Sequence, residues 1–341
     1  MTTVTEHLAR SGRHTSFYLA CGPEEGTPVI FVHGWPELSL SWRHQLPALA
    51  ALGFRAIAPD MRGYGRSSVH PRHEDYALRE SVADMIELLD SLGHDKAVWV
   101  GHDWGAPVVW AIASHHPDRC HGVANLCVPY SATGDLFSRI DRTLYPADEF
   151  PAGQWDYQLF YLENFDKARS QWEADVEATV KVLFRKGDPS GAGKPSITAF
   201  VRRNGGWFPG GVIPDLPRDE DILTEEDFCA YAAALGRNGF FGPDSWYMNH
   251  LANGAYAAEA MNGGRLSMPV LFLHAAYDYV CETMVSPLAE PMRAECANLT
   301  EAVVKSGHWM AQEKPVEVNA ALALWLATQL PDLWKVSRRP S

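Results

Sequence analysis

The chain has 341 residues, 46% of them apolar or aromatic and 12 of them Trp, enough for a sizeable core, so disorder is disfavoured. Forty-two acidic residues against 29 basic ones give a net charge of −13, and no dense Lys/Arg run is present, which argues against nucleic acid as a partner. The length suits one large α/β domain with an insertion, or two small domains.

The stretch Met1 to Cys21 is mixed polar, with Arg10, Arg13 and His14, and lacks the apolar run of a secretory signal. No segment approaches the length of a membrane span. The six cysteines, Cys21, Cys120, Cys127, Cys229, Cys281 and Cys296, are scattered without Cys-x-x-Cys pairing. That fits thiols in a reducing cytoplasm better than disulfides or zinc, and a cytoplasmic protein is expected.

In chain order, Thr15 to Ala20 reads as an edge strand and Pro28 to Val32 as a buried strand, which ends at His33-Gly34-Trp35-Pro36-Glu37. Gly34 permits a tight turn, and Pro36 fixes its own φ while restricting Trp35, so the Trp35 amide can be left unpaired and aimed inward. Phe54 to Pro59 is another strand, followed by the glycine-punctuated loop Asp60 to Ser68. From Leu78 to Leu92 the spacing is helical: Val82, Met85, Ile86, Leu88, Leu89 and Leu92 share one side, and Glu80, Asp84, Glu87 and Asp90 are expected on a solvated face.

Ala97 to Val100 is a strand that breaks at Gly101-His102-Asp103-Trp104-Gly105 before a helix, Ala106 to His116, and a strand, Gly122 to Cys127. Alternating strands and helices predict a mostly parallel sheet covered on both faces. After Pro129 this rhythm is lost. Residues 130–262 read as a helical cap, with Asp135 at a helix start and helical segments at Lys167 to Phe184, Glu225 to Gly236 and Trp246 to Ala260. The Gly/Pro-rich loops Lys186 to Pro195 and Asn204 to Pro217 match no motif. The expected organisation is therefore core 1–129, cap 130–262 and core 263–341.

The sheet resumes at Met268 to His274, just ahead of Asp278, and a last strand, Leu299 to Val304, leads to Gly307-His308-Trp309. A closing helix, Val316 to Leu330, carries an apolar stripe and is followed by a basic tail.

Gly101 to Gly105 has the spacing of a nucleophile elbow, Gly-x-Nuc-x-Gly, which holds its central residue on a strained backbone above the sheet. That residue is Asp103. A serine attacking saturated carbon would leave an ether that water cannot readily cleave. A carboxylate, with an ordinary pKa of roughly 3.9, is already anionic, and it leaves an ester that a second step can hydrolyse. The site therefore points to alkyl transfer. Asp103 as nucleophile, Asp278 as acid and His308 as base follow in the order of the hydrolase fold, each just past a strand end. The amides of Trp35 and Trp104 would supply an oxyanion hole. The other position open to an acid, near Cys127, reads Val128-Pro129-Tyr130 and offers no carboxylate.

These segments, together with Ser41-Trp-Arg-His-Gln45 and Arg62-Gly-Tyr-Gly-Arg-Ser-Ser68, resemble the soluble epoxide hydrolases of the α/β-hydrolase fold over nearly the whole chain. Ala106 departs from that pattern, standing where many members carry a second glycine after the elbow. The resemblance implies an epoxide and water as substrates, a vicinal diol as product and no metal or organic cofactor, and it leaves a homodimer open. It also implies two cap tyrosines that donate to the epoxide oxygen. They fall at Tyr157, in Asp156-Tyr-Gln158, and Tyr247, in Gly242-Pro-Asp-Ser-Trp-Tyr247, whereas Tyr145, Tyr161, Tyr231 and Tyr256 are read as packing residues. Trp35, Pro36, Trp104 and Trp309 are expected to touch substrate.

Two other readings use the same residues. A dehalogenase shares the Asp-His-acid set, but the resemblance would then put Asn at Trp35, or Arg near Trp104 and Val108. A binding protein on this fold needs only the pocket, and such proteins can lose groups that are all present here.

Overall fold

The computed structural model describes residues 3–134 and 139–334. Asp135 and the basic tail from residue 335 lie outside the described residues.

Among those residues, eight strands form one sheet: β1 (Thr5–Arg10), β2 (Thr15–Cys21), β3 (Pro28–Val32), β4 (Arg55–Pro59), β5 (Ala97–His102), β6 (Cys120–Leu126), β7 (Leu266–Ala275) and β8 (Cys296–Val304). Their spatial order is β1-β2-β4-β3-β5-β6-β7-β8. β2 is antiparallel to both neighbours, and all the other pairs are parallel. This is the α/β-hydrolase sheet.

The central strands read as apolar runs because both of their faces are covered. All five residues of β3 are buried, and full burial of each Val, Ile or Phe contributes roughly 1.5–3 kcal/mol. The edge, however, is β1 and not β2. Half-exposed and polar, β1 pairs with β2 from Thr5↔Ala20 to Arg10↔Thr15.

The core helices before the insertion are α1 (Gln45–Ala51), α2 (Leu78–Ser91) and α3 (Gly105–His115). Helix α2 buries Val82, Met85, Leu88 and Leu89. Asp84 corrects the expected solvated face: it is buried and receives the Arg62 guanidinium through two hydrogen bonds, 2.6 and 2.9 Å, with Arg13 adding one at 2.6 Å.

Between β6 and β7 lie α4 (Asp156–Glu173), α5 (Val176–Leu183), α6 (Glu225–Asn238), α7 (Phe241–Ser245) and α8 (His250–Ala257). The helix expected from Lys167 to Phe184 is thus two, divided where the Asp175 side chain caps α5, and the first begins eleven residues earlier. Its start is fixed by the Asp156 carboxylate, which accepts from the Arg202 amide and Nε at 2.7 and 2.6 Å. The segment Trp246 to Ala260 is also interrupted, a single 3₁₀ turn at Trp246–Met248 preceding α8. From α8 the Asn253 side chain accepts the Leu78 amide at 2.9 Å, tying the inserted helices to the start of α2.

After β7 come α9 (Glu290–Glu295), α10 (Met310–Glu313) and α11 (Pro315–Gln329). α11 buries Val318, Leu322, Trp325 and Leu326, but Val316 and Leu324 are exposed, so its apolar residues extend beyond the expected stripe. None of the six cysteines, all among the described residues, is in a disulfide. Among the described residues no helix is long and apolar enough to cross a membrane.

Candidate active site

The parallel strands deliver the candidate groups to one rim of the sheet. Asp103 follows β5 with φ +50°, a left-handed conformation that costs a non-glycine residue roughly 1–2 kcal/mol. The flanking glycines are sterically required. A Cβ on Gly101 would come within 2.4 Å of Asn125 Oδ1 on the neighbouring strand, and one on Gly105 within 2.1 Å of the Val32 carbonyl.

The Trp35 amide donates to Asp103 Oδ1 at 2.7 Å. A Cβ on Gly34 would lie 2.5 Å from that same oxygen and 2.6 Å from the Trp104 nitrogen, so the two candidate amides and the carboxylate crowd around one point. The turn is set by His33, whose Nδ1 donates to the Gly34 carbonyl at 2.9 Å while Nε2 accepts the Met61 amide at 2.9 Å. Burial lowers the pKa of His33, consistent with this neutral form.

His308 follows β8, and its Nδ1 donates to Asp278 Oδ2 at 2.7 Å. Its Nε2 lies 3.3 Å from Asp103 Oδ2. Asp278 Oδ1 in turn accepts the amides of Val280 and Cys281, both at 3.1 Å. Burial alone would push the Asp278 pKa up, but His308 and these two amides hold it below the ordinary carboxylate value. For His308, burial favours the neutral ring; Asp278 and Asp103 overcome it, and its pKa stands well above the ordinary value.

Tyr157 lies on α4 and Tyr247 in the turn before α8. Their rings meet edge to face, 5.5 Å apart, and Tyr247 meets Trp104 in the same way at 5.3 Å. Gln158 Nε2 donates to the Tyr157 hydroxyl at 3.1 Å. Burial, with Asp103 adding to it, raises both phenol pKa values, so both keep their protons at any working pH. Tyr145, Tyr161 and Tyr231 are buried away from the cavity described next, although Tyr161 stacks directly on Tyr247 at 4.5 Å; Tyr256, also read as a packing residue, lines that cavity.

A cavity of about 330 Å³ opens at Asp103, with Trp104 and Tyr157 in its wall. Trp35, Pro36 and Trp309, expected to touch substrate, are absent from that wall. The Trp35 indole instead donates to buried Asp244 at 2.9 Å. Trp309 is turned behind His308, donating to the Leu183 carbonyl at 2.7 Å and packing on Phe184 at 4.6 Å. Tyr247 is also outside the cavity wall and reaches the site through Tyr157 and Trp104.

Two residues that sequence reasoning gave no role stand behind the elbow. Glu37 Oε2 accepts from the Gly34 amide at 3.0 Å and from His102 Nδ1 at 2.8 Å, and His102 Nε2 donates to the His308 carbonyl at 2.8 Å. Both are buried. Burial opposes both charges, yet each stabilises the other, so Glu37 titrates at about 2 and His102 at about 10. Their signal was position alone, one closing the turn at Trp35 and the other inside the elbow.

Glu37, depressed below 4.5, contributes stability that is present above that pH and lost as pH falls toward 2. His102, raised above 6.5, contributes stability that is present below that pH and lost as pH rises toward 10. Both contributions are complete only between about pH 4.5 and 6.5. Removing one partner of a buried pair costs about 3 kcal/mol or more. Urea unfolding at pH 6 should therefore find Glu37→Gln less stable by about that much, with a smaller gap at pH 9; an equal gap at both would refute the coupling.

Among the described residues one group could gather around a metal ion: His102, Cys127 and His308, whose ligand atoms lie within 4.8 Å of one another. Both nitrogens of each ring already face partners, His102 between Glu37 and the His308 carbonyl, His308 between the two carboxylates. A metal would have to displace one of these contacts.

A family model described as alpha/beta hydrolase fold matches residues 27–315. Epoxide hydrolase A of Mycobacterium tuberculosis is 34% identical over 311 residues, covering 89% of this chain and 91% of that protein. Bifunctional epoxide hydrolase 2 of Sus scrofa is 35% identical over 305 residues, 89% of this chain but 52% of that protein, so the chain spans about half the length of that relative. The solved structure of epoxide hydrolase A from Mycobacterium thermoresistibile superposes with a TM-score of 0.80 at 33% identity, over 96% of this chain and 99% of the other. The chain belongs to the α/β-hydrolase fold family and, within it, to the epoxide hydrolases.

Proposed function

We propose that this protein hydrolyses epoxides to vicinal diols through an ester on Asp103. The observation that carries the reading is the state of one carboxylate: Oδ1 is held by the Trp35 amide, Oδ2 faces His308 Nε2, and the residue lines a cavity together with Tyr157.

In the first step Asp103 Oδ2 forms a bond to an epoxide carbon, the ring C–O bond breaks, and the departing oxygen takes a proton from Tyr157 or Tyr247. An alkoxide is a far stronger base than a phenolate, so even phenols with raised pKa values can give up a proton to it. In the second step His308, oriented by Asp278, removes a proton from water as the water oxygen adds to the Asp103 carbonyl carbon. The negative oxygen formed there is stabilised by the amides of Trp35 and Trp104. Collapse breaks the ester bond, and the departing alkoxide takes the proton that His308 drew from water, which releases the diol; the acid left on Asp103, carrying an oxygen from water, gives up its proton as the phenolate of the first step regains one.

Esterification also prepares the base. It removes one of the two negative charges that hold the His308 proton, so the pKa of His308 falls when a base is needed. Asp103, Asp278, His308, Tyr157 and Tyr247 are thus the working groups, and Trp104 is the substrate contact.

The reading is tested by measuring diol formation from an aryl epoxide alongside halide release from a matched haloalkane. Diol without halide is expected; halide without diol would replace the reading with dehalogenation. Tyr157→Phe and Tyr247→Phe should each lower kcat/KM, and the double variant should lower it about 10³-fold. A double variant with wild-type kcat/KM would remove the phenols from the mechanism.

A further inference from the structure

The cavity at Asp103 extends along α3. From Asp103, Trp104 and Tyr157 the cavity runs over Pro107 and Trp110 on α3 to Tyr130 and the loop that follows β6. The rings of Trp35, Trp172, Trp207 and Phe240 form a separate aromatic block, and none of them lines the cavity. Trp207 joins this block to the site. It stacks nearly parallel to Trp35 at 6.4 Å, meets Trp172 at 4.9 Å and reaches the Tyr157 ring at 5.4 Å.

Trp207 comes from the loop Asn204 to Pro217, for which the sequence gave no use, and that loop is pinned to α4. The Trp207 amide donates to Gln171 Oε1 at 2.9 Å, and Gly206, with φ +142°, lies so close that a Cβ there would come within 2.4 Å of the Gln171 side chain. The indole N–H is buried without a partner, so packing alone holds the ring.

We propose that Trp207 is the specificity-determining residue that closes the second side of the site, so that the substrates are epoxides with one bulky apolar substituent and little on the other carbon. This rests on the epoxide-hydrolase reading. With one carbon over Asp103 and the oxygen toward the phenols, a single large group fits along α3. A trans-disubstituted epoxide sends its two groups in opposite directions, and one of them meets the Trp207 block.

The experiment compares kcat/KM for styrene oxide and trans-stilbene oxide in the wild type and in Trp207→Ala and Trp207→Leu. Wild type should favour styrene oxide by about 100-fold or more, and either variant should raise the trans-stilbene to styrene ratio about tenfold. A wild-type ratio near one overturns the proposal, as does an unchanged ratio in variants that still hydrolyse styrene oxide. Should both variants lose all turnover, the wild-type ratio decides. A wild type that yields no diol from either substrate removes the parent reading and this inference with it, whereas brisk turnover of both removes the inference alone.

Discussion

Asp103→Asn should abolish diol formation, with a loss of at least about 10⁴-fold in kcat. The amide keeps nearly the shape of the carboxylate, so the Trp35 amide can still donate to its oxygen, but it carries no charge with which to attack saturated carbon. Asn also tolerates the left-handed backbone found at φ +50°, which Ala resists, so Asn isolates charge from strain. Asp103→Ala is the complementary variant and should be equally inactive, with some loss of stability. The measurement is initial rates across a panel of aryl and alkyl epoxides, with thermal unfolding as the control. Equal rates in wild type and either variant would reject the nucleophile.

His308→Gln should separate the two half-reactions. Alkylation needs only the Asp103 charge and the phenols, so the variant should still capture substrate. Hydrolysis needs the base, so steady-state turnover should fall about 10³-fold. Intact-protein mass spectrometry should then find the variant heavier by the mass of one substrate. Wild type turning over in ¹⁸O-labelled water should instead accumulate the label in the peptide containing Asp103. A variant with no adduct, together with a wild type without label, would eliminate the ester. Because esterified Asp103 no longer supports the His308 proton, the hydrolytic step in wild type should accelerate as pH rises and then level off.

The central sheet was legible because strands covered on both faces carry nearly unbroken apolar runs; β3, β5 and β6 are of this kind. β1 was not, since Thr5-Glu-His-Leu-Ala-Arg10 is half exposed and its pairing depends on a partner strand. Asp84 was misread because helical periodicity assigns it to the polar side, whereas its burial depends on Arg62 and Arg13, which only the fold brings near. The triad could be read from its position after three strand ends, and the structure brings those three groups together. The phenols could not be chosen by pattern, since several cap tyrosines look alike in sequence. Trp309 misled for a related reason: adjacency to His308 in the chain does not say which way an indole turns.

Trp35 answers to two masters. Its main chain steadies the carboxylate at the elbow, while its indole is fastened to Asp244, more than two hundred positions later and on α7 within the insertion. One residue thus joins the elbow to the helical insertion, so a substitution at Asp244 that frees the indole should also loosen the donor to Asp103.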